Sequence, residues 1–362
     1  MDRENIDRLE HACSIIMEHG RDSLHYLSLN QDNSFFFGDK VRGVTAYTLV
    51  GKRAMSMGDP VCRSDDMEAF VDEYLDFCRK SRIKPIFNSV SEHAAGILKR
   101  RGLIVLKYGE EAILKLDEYT FPKSSTALRR NYNKVEKTGA ILKEYYPGVE
   151  RDYDLEEKIR QLAEAYYASK GYKMGYSVGG LDFDRLYDRR FFITVNESGE
   201  LLTFLTFLPY NRSGSYCVDI MCRKTDTMTG VMEHALLSAA MKMKGEGVDE
   251  VSLGVAPLSG IDVSDPKTSK TEKLLNSIFN SMEYGYNFKN LYRFKKKFAP
   301  TFWKPRFLVY HPGISLKKLA LAFSGTRQES IPFNECMKNV FAVIADFCGV
   351  RKNEKKEEKV WK

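Results

Sequence analysis

The chain alternates short β-like apolar runs with segments whose apolar residues recur every three to four positions, and it does so twice in succession. Residues 4–20 carry Ile6, Leu9, Cys13, Ile16 and Met17 on one helical face, and Gly20 follows as a cap. Strand-like runs follow at 34–38, 44–50 and 53–57, the last ending in the turn Gly58-Asp59-Pro60. The spacing predicts a helix over 67–82, a strand over 85–88, a helix over 91–101 closed by Gly102, and two strands, 103–107 and 111–116. From Pro122 the style repeats: helices over 124–138 and 155–170, strands over 191–196, 201–209 and 215–222, a helix over 231–244, a strand over 251–255, a helix over 271–282 and a last strand at 307–310. No residue-level repeat accompanies this order of elements. The expected organisation is an N-terminal domain over 1–118, a second over 119–311 and a tail over 312–362. The tail opens with the basic, apolar stretch 316–323, read either as a membrane-surface helix or as a helix packed on its own domain. A second apolar stretch runs over 331–348, and the charged run 351–362 reads as disordered.

Composition narrows the partners. The 362 residues are 43% hydrophobic and 29% charged, with a formal net charge of +7, which is globular and leaves acidic partners open. No run approaches the ~18–20 uncharged apolar residues of a bilayer span, and Met1-Asp2-Arg3-Glu4-Asn5 has no apolar core, so no secretory signal is expected. The seven cysteines stand apart at 13, 62, 78, 217, 222, 336 and 348, with no C-x-x-C and no Cys/His pair at zinc spacing. Reduced, buried thiols in a cytoplasmic protein without a structural metal are expected.

Five segments carry possible chemistry. In 128–137, Arg130, Lys134 and Lys137 share one helix face, with Arg129 beside it, as either a phosphate-binding face or a solvated charged helix. Residues 175–182 form a glycine-rich stretch holding Ser177 and Gly179, either a close approach to a ligand or an ordinary loop. Asp219 ends the apolar part of a strand, with Arg223 just beyond and Gly230 opening an apolar helix. That acid suits a general base or an amine anchor, or else a structural carboxylate. Residues 252–260 run from a strand into a proline-fixed loop. Residues 284–300 interleave basic residues with aromatics, as a phosphate-gripping and ring-stacking segment or as a basic edge strand. There is no P-loop, no dinucleotide-binding glycine motif and no serine nucleophile elbow.

Taken together, these segments resemble the C-terminal catalytic region of bacterial phosphatidylglycerol lysyltransferases and alanyltransferases, the multiple peptide resistance factor family (DUF2156). The resemblance rests on Met57-Gly58-Asp59-Pro60, Arg130-Asn131-Tyr132-Asn133-Lys134 with Gly139, and Met174-Gly175-Tyr176-Ser177-Val178-Gly179. It continues through Asp219-Ile220-Met221 with Gly230 and Met232, and ends in 253–259, 286–288 and 294–300. It implies an α+β fold of two tandem GNAT-like acyltransferase domains with mixed sheets flanked by helices. The implied reaction moves an aminoacyl group from a charged tRNA to a hydroxyl of a phosphatidylglycerol-type lipid at the membrane surface. The aminoacyl ester is already activated, so no cofactor or metal is called for.

The resemblance casts Asp219 as base or amine anchor, and Lys295 and Lys297, on what it treats as a basic strand, as holders of a phosphate or an oxyanion. Ser177 and Gly179 fall in its glycine-serine turn, Glu283 near an acid of the family, and Tyr286 beside it. The helix bearing Arg130 and Lys134 would face lipid headgroup or tRNA. The sequence departs from the family where Cys222 stands in an arginine slot and Arg223 follows one place later, and where Lys173 and Lys296 replace acids. The family's multi-helix flippase domain has no counterpart, so the chain is expected to meet anionic phospholipid from the cytoplasm. Two alternatives stand beside this reading: another GNAT-type acyltransferase using acyl-CoA or a peptide acceptor, and an inactive lipid- or RNA-binding relative.

Overall fold

Helix α3 (Glu92–Arg100) shows how local sequence sets the element boundaries. Ser91 Oγ accepts the Ala94 N–H at 3.2 Å, Asp59 in turn accepts both the N–H and the hydroxyl of Ser91, and Gly102 ends the turn at φ +81°. The computed structural model describes residues 3–30, 33–121, 125–169, 181–184, 186–281, 288–325, 338–342 and 344. In chain order the elements are α1 (Arg3–His19), β1 (Ser34–Phe37), β2 (Gly43–Val50), β3 (Arg53–Met57), β4 (Val61–Cys62), α2 (Met67–Lys80), β5 (Lys84–Val90), α3, β6 (Ile104–Lys115) and α4 (Thr126–Glu136). They continue with β7 (Ile141–Tyr145), α5 (Tyr153–Ser169), β8 (Arg190–Val195), β9 (Leu201–Tyr210), β10 (Ser215–Arg223), α6 (Val231–Gly245), β11 (Glu250–Pro257), α7 (Lys270–Ser281), α8 (Phe288–Lys296), β12 (Phe302–Tyr310) and α9 (Leu316–Gly325).

Contacts divide the chain into two units. One holds 1–30, 111–256 and 291–304; the other holds 31–110, 257–290 and 305–362. The units interleave along the chain, whereas the expected organisation cut it once near 118 and again near 311.

In the first unit the strands run β6 (its 111–115 end)-β11-β10-β9-β8-β7, with β10 and β11 parallel and the pairs from β10 to β7 antiparallel. The pleat sends alternate residues to opposite faces. Phe192, Leu205, Phe207 and Val218 pack with Leu236, Ala239 and Met243 of α6 on one face. Phe191, Ile193, Phe204 and Ile220 pack with Ile159 and Ala163 of α5 on the other. Helix α6 lies buried around nearly its whole girth.

In the second unit β1-β2-β3-β5-β12 are neighbours, β3 and β5 parallel, β5 and β12 antiparallel. Phe70, Val71, Tyr74 and Cys78 of α2, at the predicted spacing, close over Phe87 and Val90 of β5.

Two local expectations need correction, one strand was not foreseen, and one choice left open is decided. The strands at 103–107 and 111–116 are a single strand, β6, because Gly109 does not interrupt its pairing. The basic segment near 290 is helix α8, not a strand: Phe288, Lys295 and Phe298 are the buried positions, and their spacing fits a helical turn rather than a pleat. Strand β7 was not foreseen, because its Ile141 side is exposed and its sequence is mostly polar. In the tail, Leu319, Ala322 and Phe323 of α9 are fully buried and Phe323 stacks on Phe341 at 5.4 Å, so the apolar face of this helix is spent on the protein's own core. Most of 331–348 and all of 351–362 lie outside the described residues.

Candidate functional site

The first unit carries a fork between two parallel strands. Among the described residues, β10 pairs with β11 only over Ser215–Cys217 and Glu250–Ser252. Past that point each strand is distorted. Against β9, Val218 pairs with Phe207 and Met221 with Leu205, so β10 carries one extra residue at Asp219-Ile220, a β-bulge. On β11, Gly254 adopts φ +78°, a conformation that L-residues avoid, and a Cβ there would stand 3.3 Å from Lys295 Nζ.

The bulge decides which way the candidate residues face. Tyr216 and Val218 look toward α6, while Ile220 and Cys222 look toward α5; an unbroken pleat would have put all four on one side. Asp219 sits at the inversion and keeps solvent access. Thr206 Oγ1 donates to its Oδ2 at 3.4 Å and accepts the Ile220 N–H at 3.0 Å. Although the residue is exposed, the protein packed around its carboxyl desolvates that group and raises the Asp219 pKa above the ordinary carboxylate value, while the positive charge of Arg189 and the Thr206 hydrogen bond pull it back. A carboxylate of raised proton affinity within reach of solvent is equipped to accept a proton.

Against the other limb stands Lys295 of α8, 4% exposed, whose Nζ donates to the Val255 carbonyl of β11 at 2.6 Å. Burial lowers its pKa to about 8, and the Cys217 thiol and the Glu111 carboxylate act in the opposite direction. Glu111 is fully buried and accepts the hydroxyls of Ser23 and Ser252. Cys217 lies where the limbs part: its thiol is pushed up to about 12 by burial, and it feels Glu111, Asp219 and Lys295 electrostatically. Cys217 registers both Asp219 and Lys295, while Asp219 answers to Arg189 and Thr206, and Lys295 to Cys217 and Glu111.

The other candidates lie elsewhere. Cys222 is fully buried, hydrogen-bonded with Tyr167 of α5 and pushed up to about 12 by burial. Arg223 is on the opposite face of β10, half-buried, and donates to the Lys224 carbonyl at 3.2 Å. The bulge precedes both residues, so it does not carry Arg223 into the place of Cys222. Lys297 follows α8 and pairs with Glu233 in the first turn of α6 at 3.0 Å. Arg130 and Lys134 are exposed on α4. Ser177, Gly179, Glu283 and Tyr286 lie outside the described residues. Among the described residues no three His, Cys, Asp or Glu side chains gather as a metal site would require.

Arg189, which acts on Asp219, was missed from sequence. Tyr187 and Asp188 precede it in left-handed conformations, φ 40° and 60°, a costly backbone state for such residues. Its guanidinium lies 5.3 Å from the centre of the Tyr26 ring. Phe191 pairs with Thr206 across β8 and β9, so Arg189, two residues earlier, falls on the Thr206 face. The only sequence signal was the pair Arg189-Arg190 just before an apolar strand.

The family described as "Phosphatidylglycerol lysyltransferase, C-terminal" matches residues 14–310. A phosphatidylglycerol lysyltransferase of Bacillus subtilis (strain 168) is 25% identical over 308 residues, which cover 85% of this chain and 35% of that protein. The chain therefore spans about a third of the length of the curated relatives it matches. The structure of L-PGS from Bacillus licheniformis superposes with a TM-score of 0.71 at 24% identity, covering 90% of this chain and 95% of that one. The C-terminal domain (DUF2156) of a putative lysylphosphatidylglycerol synthetase from Agrobacterium fabrum follows at 0.70 and 19% identity, covering 88% and 95%. The fold is α+β, with a mixed sheet flanked by helices as in L-PGS, and by its match over 14–310 the chain belongs to the phosphatidylglycerol lysyltransferase C-terminal family.

Proposed function

We propose that this chain catalyses transfer of an aminoacyl group from a charged tRNA to a hydroxyl of a phosphatidylglycerol-type lipid, working at the inner membrane surface. The observation that carries the reading is Asp219 on the bulge of β10, a solvent-reaching carboxylate of raised proton affinity in a strand fork shared with Lys295.

The reaction needs little beyond position and charge. The lipid hydroxyl gives its proton to the Asp219 carboxylate as its oxygen bonds to the aminoacyl carbonyl carbon. The resulting oxyanion is stabilised by a protonated Lys295, whose ammonium has two N–H bonds beyond the one given to Val255. When the intermediate collapses, the bond to the ribose oxygen breaks and that oxygen takes the proton from Asp219. The aminoacyl-tRNA ester is already activated and its product is an ordinary ester, so the transfer calls for no ATP. Arg189 and Thr206 hold Asp219 ionised enough to act as a base before the first step. Lys297 and Arg223 are the further basic groups we assign to substrate phosphates, and Ser177, Gly179, Glu283 and Tyr286 to substrate binding.

The test uses tRNA charged with a radiolabelled amino acid, one amino acid at a time, and vesicles containing phosphatidylglycerol. Label is expected in the chloroform-soluble fraction and is expected to vanish with Asp219→Asn. No transfer from any aminoacyl-tRNA would sink the proposal; stabilisation by acyl-CoA alone would point to a different acyltransferase.

A further inference from the structure

We propose that the outer face of α4 is the docking surface for the phosphate backbone of the RNA that carries the donor, an inference that rests on the transferase reading above. Arg129, Arg130, Asn133, Lys134 and Lys137 are all exposed along this face. Arg130 to Lys137 spans seven residues, about 10 Å of helix at roughly 1.5 Å per residue, a length over which a nucleic-acid strand presents about three phosphates at roughly 3.4 Å of axis each. The one acid on the exposed side of the helix, Glu136, meets His234 Nε2 at 2.6 Å, and the four cations Arg129, Arg130, Lys134 and Lys137 outnumber it.

Two features favour RNA over a membrane. First, α4 leaves no large apolar side chain exposed for insertion. Leu128 and Val135 are buried, and Tyr132 is packed edge-on against Phe121 at 5.0 Å and against the His234 ring at 4.7 Å. Helices that lie in a lipid interface keep their apolar face for the acyl chains, whereas a phosphate backbone asks only for cations and amides. Second, the helix is held rigidly. Gly230, at φ +99°, lets Asn131 approach so closely that a Cβ would stand 2.7 Å from the Asn131 Cβ. Tyr132 also meets Ser238 at 3.2 Å. Loop 224–230 joins β10, which carries Asp219, to the α6 terminus that Asn131 touches, so the cationic helix packs on the element that follows the acid's strand within one unit.

The test measures binding of uncharged tRNA by fluorescence anisotropy across a salt series, and flotation with phosphatidylglycerol vesicles, for the full chain and for Arg130→Glu/Lys134→Glu. The variant is expected to bind tRNA at least tenfold more weakly. Its plot of log affinity against log salt should be shallower by about 1.5, at roughly 0.7–0.9 for each lost phosphate contact, with flotation unchanged. The neutral pair Arg130→Gln/Lys134→Gln, checked for an unchanged thermal midpoint, should lose about the same slope with a smaller loss of affinity. Unchanged tRNA binding overturns the proposal, and so does lost flotation with tRNA binding retained, which would make the face a lipid surface. Because uncharged tRNA needs no turnover, α4-dependent binding without label transfer would sink the transferase reading alone, and transfer indifferent to α4 would sink this surface alone.

Discussion

Lys295 Nζ donates a 2.6 Å hydrogen bond to the carbonyl oxygen of Val255, one residue past the left-handed Gly254. The bond fixes an ammonium group inside a core where burial lowers its pKa to about 8. Below that pH the folded and unfolded chains both hold the proton. Between about 8 and the ordinary lysine value near 10.5 only the unfolded chain holds it, so the fold gains stability as pH rises through this window. Lys295→Met should remove the gain and add roughly 1–3 kcal/mol of stability at pH 7. Denaturant unfolding at pH 7, 8, 9 and 10 reads it directly; parallel curves for the two proteins would refute the prediction. In transfer assays the same titration should lower the rate as pH passes about 8.

Asp219 has the opposite sign. Its raised pKa means that, between the unfolded aspartate value and the folded one, the folded chain binds more protons and loses stability as pH rises. Asp219→Asn is therefore expected to abolish transfer and leave stability at pH 7 unchanged or increased. A carboxylate kept for structural reasons would show a drop in thermal midpoint instead.

Arg189 acts through Asp219. Arg189→Gln removes the positive charge that opposes the effect of burial, so the acid limb of kcat/KM should move to higher pH, while Arg189→Lys moves it less. A uniform loss of rate with no displacement of the limb would assign Arg189 a packing role against Tyr26 only.

Gly230→Ala tests the seat of α4. The left-handed φ and the 2.7 Å approach to Asn131 both oppose a side chain, and the conformational part alone costs about 1–2 kcal/mol. A lower thermal midpoint and weaker tRNA binding are expected together; a midpoint equal to that of the parent chain contradicts the close approach.

Phe323→Ala asks what α9 is for. A fully buried phenylalanine stacked on Phe341 should cost about 3–5 kcal/mol when truncated, with vesicle flotation unchanged in the protein that remains folded. Intact stability with lost flotation would return α9 to the membrane.

The sequence by itself determined the alternation of helices and strands, most of their positions, and Asp219 as the acid to watch, because apolar periodicity and turn residues act over a few positions. The helix over 67–82 and the one over 91–101 closed by Gly102 were legible for that reason. Tertiary structure decided what depends on partners far along the chain. The bulge at Asp219-Ile220 exists only in the register of β10 against β9, and it sends Cys222 and Arg223 to faces that counting along the strand cannot assign. Lys295 looked like one cation in a basic run, and only α8 packing on β11 buries it beside Glu111. Arg189 became visible once β8 lay beside β9 and brought it to the Thr206 face. Local pattern sets which elements form; long-range pairing sets which side chains share a pocket, and with it their proton affinities.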